Sequence, residues 1–185
     1  MTVPLSFAQQ RLWLVNALDP DSPAYNVRTA YRLRGPLDPG ALRASLAAIV
    51  QRHDVLRTTF ALIDGEPMQI IAGASEAVLP TCDLSRWRGA ERAAEADRRI
   101  RSVTDAPFDL AAGPLMRSLL LRLGSDDHVL VLAIHHIVFD GGSVTPFNRE
   151  LSALYNARCG GPPAQLDECR AGIVLFCGSR RSASR

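Results

Sequence analysis

Helix and strand periodicities alternate along the first 165 residues of this 185-residue chain. Val27, Thr29, Tyr31 and Leu33 alternate with arginines at 28, 32 and 34, which is the period of a half-buried strand. Ser6 and Gln9 have the spacing of a capping box and predict a helix that begins there. Asp38 followed by Pro39 predicts the start of a second helix. This order predicts an α/β fold, an α+β sandwich with helices packed on a mostly antiparallel sheet.

The same two periods predict the remaining elements. These are strands at 57–63, 68–71, 115–123 and 128–134, and helices at about 86–104 and from Thr145 onwards. Ser85 is expected to cap the helix at 86–104, with Ala93 among its inward-facing residues. The strands at 57–63 and 68–71 are expected to form a hairpin.

Composition excludes several classes of chemistry and partner. The 21 basic residues are all arginine, and with 19 acidic residues they give a net charge of +2. This balance does not indicate a nucleic acid or a membrane partner, and the absence of lysine excludes lysine-based catalysis. No apolar run approaches the roughly 20 residues that span a bilayer, and the four cysteines form no C-x-x-C pair. We therefore expect a cytoplasmic protein with free thiols.

The character of the sequence changes near residue 165. Residues 166–185 contain four arginines and two acidic residues, so the whole net charge of +2 lies there. Neither the helical nor the strand period organises this segment. We predict one lobe at 1–165 and an atypical tail at 166–185, which is either translated out of frame or disordered.

Two adjacent histidines mark the end of an apolar strand. His135 and His136 precede a short loop that contains Asp140 and Gly141. Neighbouring strand side chains point to opposite faces, so one ring should face the packing and the other a cleft. Imidazole is suited to accepting a proton near neutral pH. Asp140 can orient the ring or lock the loop through an arginine, and Gly141 lets the backbone turn into the next helix.

Other interpretations of the paired histidines remain open at this point. A histidine at a strand end is more often a satisfied core or rim residue. A metal site is disfavoured because adjacent histidines chelate one ion poorly, H-E-x-x-H is absent and the cysteines lack ligand spacing. The complete H-H-x-x-x-D-G pattern is expected by chance in roughly one chain of this length in several thousand, which favours a functional role.

Three stretches occur in a fixed order: Leu5 to Trp13, Arg52 to Phe60, and the motif from His135 to Gly141. Together they resemble the condensation domains of nonribosomal peptide synthetases, in the chloramphenicol-acetyltransferase-like superfamily. The segment from Pro107 to Arg117 is similar as well. The resemblance covers residues 3 to about 165 and corresponds to the N-terminal lobe of a two-lobed domain whose tunnel lies between the lobes.

The resemblance implies peptide (amide) bond formation. The amine of an aminoacyl acceptor attacks the thioester of a donor, and both are tethered to phosphopantetheine arms of carrier protein domains, with no cofactor bound directly. His136 is expected in the tunnel, where it positions or deprotonates the amine, and His135 is expected to be structural. Asp140, next to Gly141, is expected to form a salt bridge with Arg57 that holds the loop.

Three hypotheses about the activity remain open. The lobe is an acyltransferase that is inactive alone because a second lobe is missing, or it rebuilds a tunnel as a homo-oligomer of the chloramphenicol acetyltransferase type. The third hypothesis is a non-catalytic lobe that binds carrier proteins. The sequence favours the first and does not identify the donor or the acceptor.

Overall fold

The computed structural model describes residues 1–73 and 78–166. Within these ranges the elements are β1 (Thr2–Pro4), α1 (Phe7–Leu18), β2 (Asn26–Arg34), α2 (Pro39–Arg52), β3 (Thr58–Ile63), β4 (Glu66–Ile71), β5 (Thr81–Asp83), α3 (Gly89–Thr104), β6 (Met116–Arg122), β7 (Asp127–His135) and α4 (Val144–Arg158), with 3-10 turns at Asp54–Arg57 and Gly141–Ser143. The predicted tail, residues 166–185, lies outside the described residues apart from Leu166.

The larger sheet has the strand order β2-β7-β6-β5. Strand β7 is antiparallel to both of its neighbours, and its last residue, His135, pairs with Asn26 of β2. Only the short pair of β5 and β6 is parallel among the described strands. The prediction of a mostly antiparallel sheet is confirmed, and β7, which ends at the histidine pair, occupies an interior position in it.

A second sheet has the order β1-β4-β3, and its pairs are antiparallel. The predicted hairpin connects β3 to β4 through Asp64 and Gly65, both of which have positive φ angles (53° and 83°). Two such residues match a tight hairpin turn with the twist of its strands. The central strand β4 places Gln69 opposite Val3 of β1 and Phe60 of β3.

Helices α2 and α4 pack together over the core. The α2 residues Leu46 and Ile49 are fully buried, and α4 contributes Phe147 and Leu151 to the same cluster. Helix α2 begins as predicted, since the Asp38 carboxylate accepts hydrogen bonds from two backbone amides of its first turn. A 14-residue helix of this kind derives most of its stability from the packed apolar face.

Helix α3 departs from its prediction at the N-terminus. It begins at Gly89, with Arg88 as an N-cap that makes no side-chain capping bond. Ser85 instead lies in the turn after β5, where its amide donates to the Asp83 carboxylate. Ala93, predicted to face inward, is exposed. Because the helix begins four residues after Ser85, this serine lies too far from the first turn to cap it.

Candidate functional site

The end of β7 brings the two histidines to the junction between the larger sheet and the following turn. The His135 amide donates to the carbonyl of Leu115, at 3.0 Å, and the His136 amide donates to the carbonyl of Tyr25, at 2.8 Å. The backbone at this position is therefore held from both sides. The two side chains differ in burial: that of His135 is buried and that of His136 is exposed.

His135 is enclosed by aromatic rings. Its side chain is 2% exposed, and the rings of Tyr25 and Phe108 lie 6.5 and 6.1 Å from it between centroids. Its Nδ1 accepts a hydrogen bond from the amide of Ile137, at 3.1 Å, which places the proton of the neutral ring on Nε2. Burial, with a smaller contribution from the charge of His136, lowers the pKa of His135 to about 4. The ring is thus neutral near pH 7 and packs as part of the core.

His136 has the opposite tautomer. Its Nδ1 lies 3.0 Å from the carbonyl oxygen of Phe139. A carbonyl can only accept a hydrogen bond, so in the neutral ring Nδ1 carries the proton. The Nε2 atom then holds the lone pair. Because the side chain is exposed, this lone pair is available to a group that has a proton to give.

The turn after His136 is buried although it is a connecting segment. The turn closes on itself through the Val138 amide, which donates to the His135 carbonyl at 3.0 Å. Phe139 packs edge to face against Phe147 of α4, with 5.6 Å between the ring centroids. The carbonyl that orients the His136 ring is therefore anchored by a buried aromatic side chain.

Asp140 forms its contacts within the loop. One carboxylate oxygen accepts from the Ser143 amide at 2.9 Å and from the Ser143 hydroxyl at 2.7 Å. These hydrogen bonds, the one from the Ser143 side chain above all, keep the pKa of Asp140 below its ordinary value. Asp140 thereby caps the 3-10 turn Gly141–Ser143 that leads into α4.

The predicted salt bridge between Asp140 and Arg57 is wrong. The Arg57 guanidinium pairs with the Asp54 carboxylate and donates to the carbonyls of Ala72 and Gly73. Arg57 ends the 3-10 turn that begins at Asp54, so its nearest carboxylate lies three residues back. Arg57 consequently supports the end of strand β4, and the loop that contains Asp140 is closed by Ser143.

Gly141 is exposed and lies in open space. A Cβ atom added to it would meet no heavy atom within 4 Å, and its φ angle is not in the left-handed region. The turn therefore does not require glycine here for backbone reasons.

Two buried carboxamides underlie the turn. Gln9 of α1 and Gln69 of β4 are 5% and 0% exposed, and the Gln9 amide reaches the carbonyl of Ile137 at 3.4 Å. Gln69 lies outside the three sequence motifs and was not predicted as a site residue. The sequence feature that could have identified Gln69 is a polar residue at an inward-facing position of an alternating strand, where an apolar residue is usual.

Neither a metal cluster nor a membrane-spanning helix is found in the described part of the chain. Across residues 1–73 and 78–166, no group of three or more His, Cys, Asp or Glu side chains is arranged to hold a metal ion. No helix within those ranges combines the length and the apolar character needed to cross a membrane.

Comparisons with known proteins agree on one family. The model of the family described as "Condensation domain" matches residues 1–169. Phosphinothricin tripeptide synthetase PhsC of Streptomyces viridochromogenes is 46% identical over 164 residues, which cover 89% of this chain and 15% of that protein. The dimodular nonribosomal peptide synthase of Bacillus subtilis is 44% identical over 161 residues, which cover 86% of this chain and 6% of that protein.

Solved structures show the same similarity. The starter condensation domain of rhizomide synthetase RzmA superposes with a TM-score of 0.82 at 31% identity, over 90% of this chain and 40% of that chain. A double mutant of that domain, solved in complex with C8-CoA and Leu-SNAC, gives 0.82 at 30% identity over 90% of this chain and 38% of that chain.

The chain thus spans about 40% of these solved domains and a small part of the curated relatives. The family match extends over most of its length, and the three ordered motifs lie within the matched residues. The chain belongs to the condensation domain family of nonribosomal peptide synthetases.

Proposed function

We propose that this chain provides the His136 side of a site that forms an amide bond between a thioester donor and an aminoacyl acceptor. The observation that carries the proposal is the 3.0 Å hydrogen bond from His136 Nδ1 to the Phe139 carbonyl, on a ring whose side chain is exposed. This bond leaves Nε2 unprotonated in the neutral ring and fixes the direction in which its lone pair points.

In the proposed step the acceptor amine attacks the carbonyl carbon of the donor thioester. His136 Nε2 accepts the proton that the amine nitrogen loses as the C–N bond forms. The tetrahedral intermediate then collapses, the C–S bond breaks, and the proton passes from Nε2 to the departing sulfur. The products are an amide and a free thiol. Orientation of the amine by Nε2 contributes alongside proton transfer.

The comparisons support thioester substrates. The rhizomide starter domain was solved with C8-CoA and Leu-SNAC, which are a coenzyme A thioester and a small aminoacyl thioester. We propose that the substrates of this chain are tethered as thioesters to phosphopantetheine arms of carrier protein domains. Such tethering would deliver both reactants to His136 and lower the entropic cost of bringing them together.

We further propose that the wall facing His136 comes from a second lobe or from a second copy of this chain. His136 is exposed in the described part of the molecule, and exclusion of water from a reacting thioester requires cover on that side. A second copy would give an oligomer in solution, whereas a second lobe would leave the chain monomeric.

The test combines a condensation assay with size-exclusion chromatography. The full chain is incubated with a donor carrier protein and an aminoacyl-loaded acceptor carrier protein, with and without a separately produced C-terminal lobe of a relative. Product on the acceptor is detected by intact-protein mass spectrometry. We expect product formation to fall at least about 100-fold in His136→Ala, because a positioned general base contributes about that much.

His128→Gln is the matched control, since His128 lies at the opposite end of the same strand. We expect this variant to retain the activity of the unmodified chain. Product that is insensitive to His136→Ala would refute the proposal. Carrier binding without product, under both conditions, would also refute it and would support the non-catalytic alternative.

A further inference from the structure

The two buried carboxamides form a single directional chain of hydrogen bonds. Gln9 Oε1 accepts from the Ser6 amide at 2.9 Å, so Gln9 Nε2 must face Gln69. Gln9 Nε2 donates to Gln69 Oε1 at 3.0 Å, and Gln69 Nε2 donates to the Pro4 carbonyl at 2.9 Å. Each amide therefore has one orientation only, because a reversed amide would place two donors or two acceptors together.

The second proton of Gln9 Nε2 connects this chain to the turn after His136. It points to the carbonyl of Ile137, 3.4 Å away. Ile137 is the residue directly after His136, and it is 4% exposed. The smaller sheet, which contains Gln69, and the end of the larger sheet, which precedes His136, are thus joined through Gln9.

Burial makes these contacts specific. Burying a carboxamide without hydrogen-bond partners is unfavourable, so a fully buried glutamine persists in a strand only when its partners are in place. Gln69 lies beside Phe60, which is 1% exposed, in the register of β3 and β4. An apolar neighbour of this kind cannot replace a lost partner, and Gln69 Oε1 is the nearer of the two acceptors of Gln9 Nε2, at 3.0 Å against 3.4 Å for the Ile137 carbonyl.

We propose that Gln69, which lies outside the three sequence motifs, is a positioning residue for His136. It acts through Gln9, which holds the Ile137 carbonyl and thereby the turn that presents Phe139 to His136 Nδ1. The proposal rests on the proposed function of His136 for its catalytic meaning. Its structural content concerns the orientation of the ring and can be measured without catalysis.

The experiment uses the full chain and the substitution Gln69→Met, which keeps the length of the side chain and removes both its donor and its acceptor. Gln9→Met removes the contact with Ile137 directly and provides a second route if the first variant folds poorly. Gln10→Met is the control, because the Gln10 amide donates to the Leu5 carbonyl instead of to a group of the turn.

Two measurements report on the turn. Hydrogen exchange compares the amides of Ile137, Val138 and Phe139 with ladder amides of β7 such as that of Val131. Nitrogen-15 spectra of the His136 ring report which nitrogen carries the proton.

In Gln69→Met and in Gln9→Met we expect the turn amides to exchange at least about 10-fold faster relative to the ladder amides. The turn opens more easily in these variants because the hydrogen bonds that join Gln69, Gln9 and the Ile137 carbonyl no longer have to be broken. We also expect the His136 ring to lose its preference for the Nδ1–H tautomer, while Gln10→Met leaves both readouts unchanged. Equal acceleration of turn and ladder amides with an unchanged tautomer would overturn the proposal, because it would show a general loss of stability only. Since neither readout uses substrate, failure of this proposal is distinguishable from failure of the proposed activity.

Discussion

Asp140 and Ser143 close the loop after the histidine pair by bonding to each other. The Asp140 carboxylate accepts from both the amide and the hydroxyl of Ser143, at 2.9 and 2.7 Å, and the Ser143 hydroxyl lies 3.4 Å from the Asp140 amide. This reciprocal pattern is that of a capping box. The loop geometry is therefore set within four residues, directly before helix α4.

Because Asp140 and Ser143 bond to each other, we expect the effects of substituting them on the free energy of unfolding to be non-additive. Asp140→Ala and Ser143→Ala should each destabilise the chain by about 1 kcal/mol, the usual effect of losing an N-cap. Their double variant should show an interaction energy of at least about 0.5 kcal/mol, because each residue is the partner of the other. Asp140→Ala and Arg57→Ala should be additive within about 0.5 kcal/mol. Urea unfolding of the unmodified chain and these variants measures both cycles, and strong coupling of Asp140 to Arg57 would contradict the structure.

We expect alanine substitution to have effects of different size at two glycines. Gly141→Ala should change the free energy of unfolding by less than about 0.5 kcal/mol, because its Cβ would lie in open space. Gly113 has a φ of 63°, and its Cβ would lie 2.9 Å from Thr59 Cγ2. Gly113→Ala should therefore cost about 1–2 kcal/mol or more, from the left-handed backbone and the clash. The prediction fails if the two variants unfold at the same urea concentration.

His135 predicts a loss of stability on acidification. Its folded-state pKa of about 4 lies below the ordinary value of 6.5, so the unfolded chain takes up a proton that the folded chain resists. The contribution of the neutral His135 ring to the free energy of unfolding is fully present above pH 6.5. It is lost as the pH falls toward 4, and the loss is about 2 kcal/mol at pH 5. Comparison of urea unfolding at about pH 7.5 and pH 5 with that of His135→Gln isolates this effect. Parallel pH dependence in the two proteins would refute it.

Glu150 predicts a stabilising link between α4 and the end of α2. Its buried carboxylate lies 2.7 Å from His53 Nε2 and 3.5 Å from Arg52 Nε. Glu150→Ala should cost about 2 kcal/mol, because it leaves polar groups of both neighbours without this acceptor. Glu66→Ala removes an exposed carboxylate and should stay within about 0.5 kcal/mol. Thermal unfolding of the two variants measures the difference in their stability, and the structure predicts that Glu150→Ala is clearly the less stable of the two.

Features that depend on neighbours in sequence were predictable. The capping box of Ser6 and Gln9 is present in the structure, and so is the Asp38 cap of α2. The alternation of residues 27–33 became β2, whose Arg32 is exposed. These features follow from the helical and strand periods, which a short stretch of sequence displays directly. The resemblance to condensation domains, drawn from three ordered motifs, is confirmed by the family match.

The partners of polar side chains could not be predicted in the same way. Arg57 could meet any carboxylate that the fold brought near it, and Asp54 was the one within reach. Ser85 matched the pattern of a helix cap, yet its turn was closed by Asp83. In both cases the sequence pattern permitted several partners, and the partner observed in the structure lies only two or three residues away.

The sequence alone therefore determined most of the elements, their order, the family and the position of the histidine pair at the end of β7, because short-range periods and motifs encode them. The three-residue strands β1 and β5 were not predicted, because so short a segment displays no period. Only the tertiary structure decided the tautomers of the two rings, the partner of Asp140 and the buried link from Gln69 to the turn. The reason is physical: a polar side chain bonds to whichever donor or acceptor the folded backbone places within its reach, and the spacing of residues in sequence does not specify that choice. Gln69 and Ile137 are 68 positions apart in sequence, and the fold connects them through a single intervening side chain, Gln9.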